Sequence, residues 1–221
     1  FTPVSEVGRG CGRALVLLSD SSMTFAKLRF SDDPLATLKE DRSRLSDPLA
    51  RALCWAAMWD VTRDAEMPAR EFVELVARHA PNELDSLLVE RVTSQARSAI
   101  DLYGDPTNRS AARERLHQVA ADQVKAEGIS QEMKLIWARI MVGTAASEES
   151  LARVAALLDG TESIPGIDVD TDLRWLHVGQ LAEEGQADDA LIQATMASDP
   201  MSPGPRPGPH SLGASPHGGG T

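Results

Sequence analysis

Aromatic side chains are scarce in this chain: phenylalanine, tryptophan and tyrosine make up 4% of its 221 residues. Sheets draw on aromatic and β-branched residues for their half-buried faces, whereas the alanine and leucine that dominate here favour helices. Only two cysteines are present. Cys11 lies in a glycine-rich start and Cys54 in an apolar stretch, so a disulfide between them is not expected, and a reducing, cytoplasmic compartment is the simplest expectation. Positive charge is also short, with 22 lysines and arginines against 33 acids and a net charge of −11. A chain of that sign repels the phosphate backbone, which excludes nucleic acid as an expected partner. No apolar run reaches the roughly 18 residues that a membrane helix needs, so no membrane partner is expected either. The stretch "RALVLLS" is too short for the apolar part of a signal peptide, and no cleavage site follows it. The first residue is Phe1, not methionine, which suggests a piece of something longer.

Catalytic signatures are missing as well. His79 is followed by Ala-Pro-Asn, His117 by Gln-Val-Ala and His177 by Val-Gly-Gln, so none opens H-E-x-x-H. G-x-S-x-G, a phosphate-binding glycine loop and C-x-x-C are absent too. A zinc site needs three or four convergent ligands, and the three histidines of the helical region read as surface or half-buried side chains. His210 and His217 stand in a stretch with no scaffold around it. Asp168, Asp170 and Asp172 have the alternate spacing of an EF-hand start, but Leu173 and Gly179 occupy the positions of its glycine and bidentate glutamate. These acids read as a capped helix start, with Arg174 free to pair with one of them or with a ligand carboxylate. No catalytic, cofactor-binding or metal-binding residue is assigned, and no cofactor is expected in this chain.

What remains is helical pattern. Residues 13–33 carry two short β segments, the second alternating as Thr24, Ala26, Leu28 and Phe30 against Phe25, Lys27 and Arg29. From Pro34 the period is that of helices, over about 34–45, 48–65, 68–79, 82–103, 108–127, 131–143, 148–159, 171–184 and 188–197. Ser130, Ser147 and Asp188 stand where N-caps belong, and Gly104, Gly128, Gly160 and Gly185 where C-terminal glycines belong. In "DPLARALCWAAMWDVTRDAEMP" (47–68), Asp47 and Pro48 open a helix on which Trp55 and Trp59 lie one turn apart. No charge occurs from Ala52 to Trp59, so this helix is expected to be covered on all sides. Leu53, Trp55, Trp59 and Trp137 are the expected structural core, and Cys54 a small hydrophobe within it. Short links between helices predict an all-α architecture, an α-solenoid of antiparallel helix pairs of the HEAT or armadillo kind. It is preceded by the remnant of a β-sandwich domain in 1–31, occupies 32–199 and is followed by a disordered tail in 200–221. About half of "PMSPGPRPGPHSLGASPHGGGT" is proline or glycine, too little to bury against its chain entropy. Its abruptness also fits translation out of frame from GC-rich DNA.

Three stretches carry a resemblance. "SSMTFAKLRF" resembles the strand that closes the small β-domain of actinobacterial aminopeptidase N, and "DPLARALCWAAMWDVTRDAEMPAREFVELVARHAP" the helix pair after it. "LLDGTESIPGIDVDTDLRW" is similar to a late loop and helix of the same region. The frame Arg51-Ala52, Arg63 and Pro68 also recurs in animal relatives. The family is that of the gluzincin zinc aminopeptidases, and the region is their helical C-terminal domain, named after endoplasmic-reticulum aminopeptidase. The resemblance covers about residues 15–200. It implies a domain that encloses the substrate chamber and restricts peptide access, with zinc held by a preceding catalytic domain. The family's zinc and amine-binding motifs, H-E-x-x-H and G-x-M-E-N, do not occur here, so none of those roles passes to a residue of this chain. Implied partners are the catalytic domain and peptides, and Arg174 and Trp175 are the candidates for the chamber face. A free-standing helical-repeat adaptor that binds a protein partner is the competing reading.

Overall fold

The computed structural model describes residues 48–199. Among them are eight α-helices and no strand: α1 Pro48–Arg63, α2 Ala69–His79, α3 Ser86–Ser98, α4 Arg109–Val124, α5 Gln131–Gly143, α6 Glu148–Asp159, α7 Thr171–Glu183 and α8 Asp189–Ser198. The β segments, the helix expected over 34–45, the Asp47 cap and the tail from 200 onward lie outside the described residues.

Short polar side chains start most of these helices. Asp85, Ser130, Ser147, Asp170 and Asp188 each accept a hydrogen bond from the backbone N–H three residues on, which satisfies a donor that the first turn cannot. Ser147 and Ser150 form a reciprocal capping box. Gly160 ends α6 at φ +83°, a left-handed conformation that a Cβ would disfavour. Gly104 differs from the expectation. Its φ is −82°, and a Cβ there would sit 2.7 Å from the carbonyl oxygen of Ile100. The glycine is needed for close approach of backbone, not for a left-handed turn.

The helix expected over 82–103 is three pieces. Ala80–Asn82 form a 3₁₀ turn, Glu83 and Asp85 are extended, and α3 starts only at Ser86. Beyond Ser98 the chain widens into a π turn, Ala99–Tyr103. The early break follows from Glu83, which is buried and accepts from Arg51 Nε at 2.9 Å and from Trp55 Nε1 at 3.0 Å. A helix running through 82–86 would have to surrender that inward reach.

One hydrophobic core runs through the described helices. Trp55 is 1% exposed and meets Phe72 edge-on at 6.2 Å, while Trp59 packs half-buried between Phe72 and Tyr103. Trp137 is buried, and Leu53 is half-buried, outside the fully buried set. Consecutive helices pack against each other as α2–α3, α4–α5, α6–α7 and α7–α8, and alternate ones as α2–α4, α3–α5 and α5–α7. Ion pairs fasten the ends. Arg113 on α4 reaches Asp101 at 2.8 Å, Glu183 at 2.7 Å and Glu184 at 2.7 Å. Arg97 on α3 meets Glu183 at 2.5 Å, so α3, α4 and α7 share one cluster.

Candidate functional site

The alternate packing of α3, α5 and α7 leaves a groove of about 500 Å³ along their common face. Each helix contributes a stripe at helical spacing: Glu90, Ser94 and Arg97 from α3, Ile136, Arg139 and Gly143 from α5, Asp172 and Leu176 from α7. Ile136, Ile140 and Leu176 give the groove an apolar floor. Glu90, Asp172, Arg97 and Arg139 add charge of both signs to its lining. Arg97 is committed to Asp101 and Glu183. Arg139 makes no ion pair among the described residues, so its guanidinium has donor capacity for a carboxylate or a peptide carbonyl. At the base of the groove, a Cβ on Gly143 would lie 3.2 Å from Arg97 Nη1 and 3.9 Å from Leu176 Cδ1. The absence of a side chain at 143 leaves room for the Arg97 guanidinium there.

The electrostatics of the adjoining cluster are set by hydrogen bonding against burial. Burial raises the pKa of Glu183, but hydrogen bonds and charge from Arg113 and Arg97 outweigh it and hold the carboxyl below its ordinary range. Glu114 behaves alike: burial opposes its charge, while the Ser150 and Ser147 hydroxyls and the Ser147 N–H bring the net shift down. Arg113 is the counterpart, its pKa lowered by burial and raised further by Asp101 and Glu183.

Arg174 and Trp175 are not in this groove. They line a separate recess between α7 and α8, and Trp175 Nε1 donates to Asp199 at 2.9 Å. Arg174 makes no ion pair among the described residues, with Asp170 or otherwise. Asp170 instead caps α7 by accepting from Leu173 N at 2.8 Å. On α7 the groove takes Asp172 and Leu176, and the face at Leu173 and His177 turns to the core. The residues that line the groove were missed because each stripe looks alike in sequence to any solvated helix face.

The three histidines correct a second expectation. His79, His117 and His177 are all buried, not surface or half-buried. His117 Nδ1 is 2.7 Å from the carbonyl of Met141, and His177 Nδ1 is 2.6 Å from that of Leu173. A carbonyl only accepts, so in each ring Nδ1 carries the proton. The other nitrogen of His177 is buried with no partner, and burial pushes this imidazole's pKa down, against the Leu173 bond and with the help of Arg174. Among the described residues no three His, Cys, Asp or Glu side chains converge as metal ligands would.

Comparison with known proteins locates the chain. Residues 15–205 match the sequence model of a family described as the ERAP1-like C-terminal domain. Aminopeptidase N of Streptomyces lividans is 36% identical over 206 residues, which are 93% of this chain and 24% of that protein. The chain thus spans about a quarter of the length of the curated relative it matches. With most of its length inside one family's pattern, this chain belongs to the ERAP1-like C-terminal domain family.

Proposed function

We propose that this chain serves as the non-catalytic C-terminal domain of a zinc aminopeptidase that removes N-terminal residues from peptides, enclosing the substrate chamber and restricting which peptides enter. The observation that carries this reading is the match over 93% of the chain to a quarter of an aminopeptidase N. The sequential and alternate helix contacts support a two-layered solenoid of antiparallel pairs. In such a stack one layer, here α3, α5 and α7, presents a continuous face. The groove on that face, with its apolar floor and the unengaged Arg139, is the surface we assign to the peptide. Its contribution is enclosure and positioning. Bond cleavage belongs to the catalytic domain, where zinc would polarise the scissile carbonyl and activate water.

A chimera tests the assignment. This chain replaces the matched quarter of the Streptomyces lividans protein, and Arg139→Glu is made within it. The expected result is a fall of about tenfold, or about 1.4 kcal/mol, in kcat/KM for a ten-residue peptide, with hydrolysis of an aminoacyl p-nitroanilide unchanged. Equal effects on the two substrates, or none on either, would remove the groove from the peptide path. The chain alone, with zinc added, is expected to release no p-nitroaniline above background; release would refute the non-catalytic assignment.

A further inference from the structure

A second cavity, of about 300 Å³, shares no lining residue with the groove and lies where the start of α2 meets the π turn and the start of α4. Two arginines line it, Arg70 from the first turn of α2 and Arg109 from the first turn of α4. Neither makes an ion pair among the described residues, in a chain that carries eleven more negative charges than positive ones. Arg109 Nε is buried and has no hydrogen-bond acceptor. Two further polar groups on the wall are unused: the Tyr103 hydroxyl has no hydrogen-bond partner among the described residues, and the Asn108 side chain caps nothing. Val73 and Ile100 complete the wall with apolar surface.

Two like charges on one small concavity repel each other, and a covered guanidinium N–H without an acceptor is expensive. The more buried arginines of this fold, such as Arg51 and Arg113, resolve that problem with a carboxylate. The acid lining this cavity is Asp105, and its Oδ1 is taken up by the Thr107 N–H at 2.9 Å and the Thr107 hydroxyl at 2.8 Å. It offsets part of the charge without satisfying either arginine. The remaining excess is cationic and rich in donors, and the surrounding wall is apolar.

We propose that this cavity is an oxyanion-binding site, in which Arg70 and Arg109 hold a carboxylate or phosphate group while Tyr103 and Asn108 donate to it. Arginine is suited to both anions because its fork presents paired N–H donors at their spacing. The site stands apart from the groove on α3, α5 and α7, and it does not depend on the peptidase reading. An anion bound there would join α2 to α4 across the π turn and so stabilise that corner of the fold.

Isothermal titration of the 221-residue chain in a chloride-poor buffer tests the site, with inorganic phosphate and phenylacetate as the probes and phenylacetamide as the neutral control. The expected result is saturable binding of at least one anion with a dissociation constant of about 1 mM or tighter, and none of the amide. Phosphate alone binding would mark a site read by charge; phenylacetate alone, one that also uses the apolar wall. Arg109→Gln should weaken binding about tenfold and Arg70→Gln severalfold. Asp105→Asn, which keeps an acceptor for Thr107 but removes the competing charge, should tighten it about threefold. Arg70 is exposed, so its variant and Asp105→Asn keep the test intact if Arg109→Gln fails to fold. No saturable binding of either anion up to about 50 mM, or binding that survives Arg70→Gln unchanged and is not tightened by Asp105→Asn, would overturn the proposal.

Discussion

Protonation of His177 should destabilise this domain from the inside. The ring is 1% exposed, its Nδ1–H donates to the Leu173 carbonyl, and its Nε2 faces no donor or acceptor. A proton added to Nε2 would create a buried charge with nowhere to place it, beside the cation of Arg174. The folded-state pKa is therefore lowered from 6.5. For a group with a lowered folded pKa, the contribution to stability is whole above the unfolded value and is lost as the pH falls below it. As the pH falls through 6.5 the unfolded chain takes up a proton that the native ring resists. The loss between pH 7.5 and 5.5 is then on the order of 1 kcal/mol from this residue. His79 and His117 are also buried, so the useful quantity is a difference. Urea unfolding of the native chain and of His177→Gln at both pH values should show the native chain losing more than the variant, by on the order of 1 kcal/mol. Heteronuclear NMR of the ring should show the Nδ1–H tautomer and a titration midpoint below 6.5. A His177 midpoint at or above pH 6.5, or an equal pH loss in the two proteins, would refute the reasoning.

Two stability predictions follow from the packing. Trp55→Ala removes a buried ring that touches Phe72 and donates to Glu83, and should cost about 3–5 kcal/mol in urea unfolding; a loss below about 1 kcal/mol would show that α1 is not clamped into the core. Arg113→Met breaks the cluster with Asp101, Glu183 and Glu184 and should cost about 2 kcal/mol, between the values of buried and exposed pairs because Glu183 is 41% exposed; a change within about 0.5 kcal/mol would make the cluster a surface ornament.

Local chemistry was legible wherever local chemistry decides. Ser130 and Ser147 cap the helices their positions predict, and α5 and α6 run over 131–143 and 148–159 as the apolar period indicates. What could not be read depends on residues far away in the chain. Glu83 interrupts a helical pattern because its partners stand 28 and 32 residues earlier. His117 is buried because a carbonyl 24 residues later accepts its N–H, and nothing around position 117 announces that. Arg174 and Trp175 drew attention as a charged and an aromatic side chain side by side on a helix start. On a helix such neighbours point about 100° apart, and Trp175 is spent on Asp199. The stripe that does line the groove, Asp172 and Leu176, has nothing distinctive in composition.

The groove and the ion cluster meet in one side chain, and this bears on how the face keeps its shape. Arg97 lines the groove, holds Glu183 and Asp101, and lies against Gly143. Its position is fixed by three helices at once, so the width of the groove at that end follows from where α7 and the π turn hold the guanidinium. A Cβ at 143 would press on the Arg97 guanidinium at 3.2 Å and shift it by a few tenths of an ångström. Displacing Arg97 loosens Glu183, which Arg113 also grips from α4. On the proposed reading, a surface that admits varied peptides can leave its floor apolar and unspecific, since apolar contacts are not directional. Its outline would then be what admits or excludes, and could not be loose. Shape here is held by charge pairs at the ends of helices and by one missing side chain, and binding capacity is left to a single arginine, Arg139, that no described acid claims.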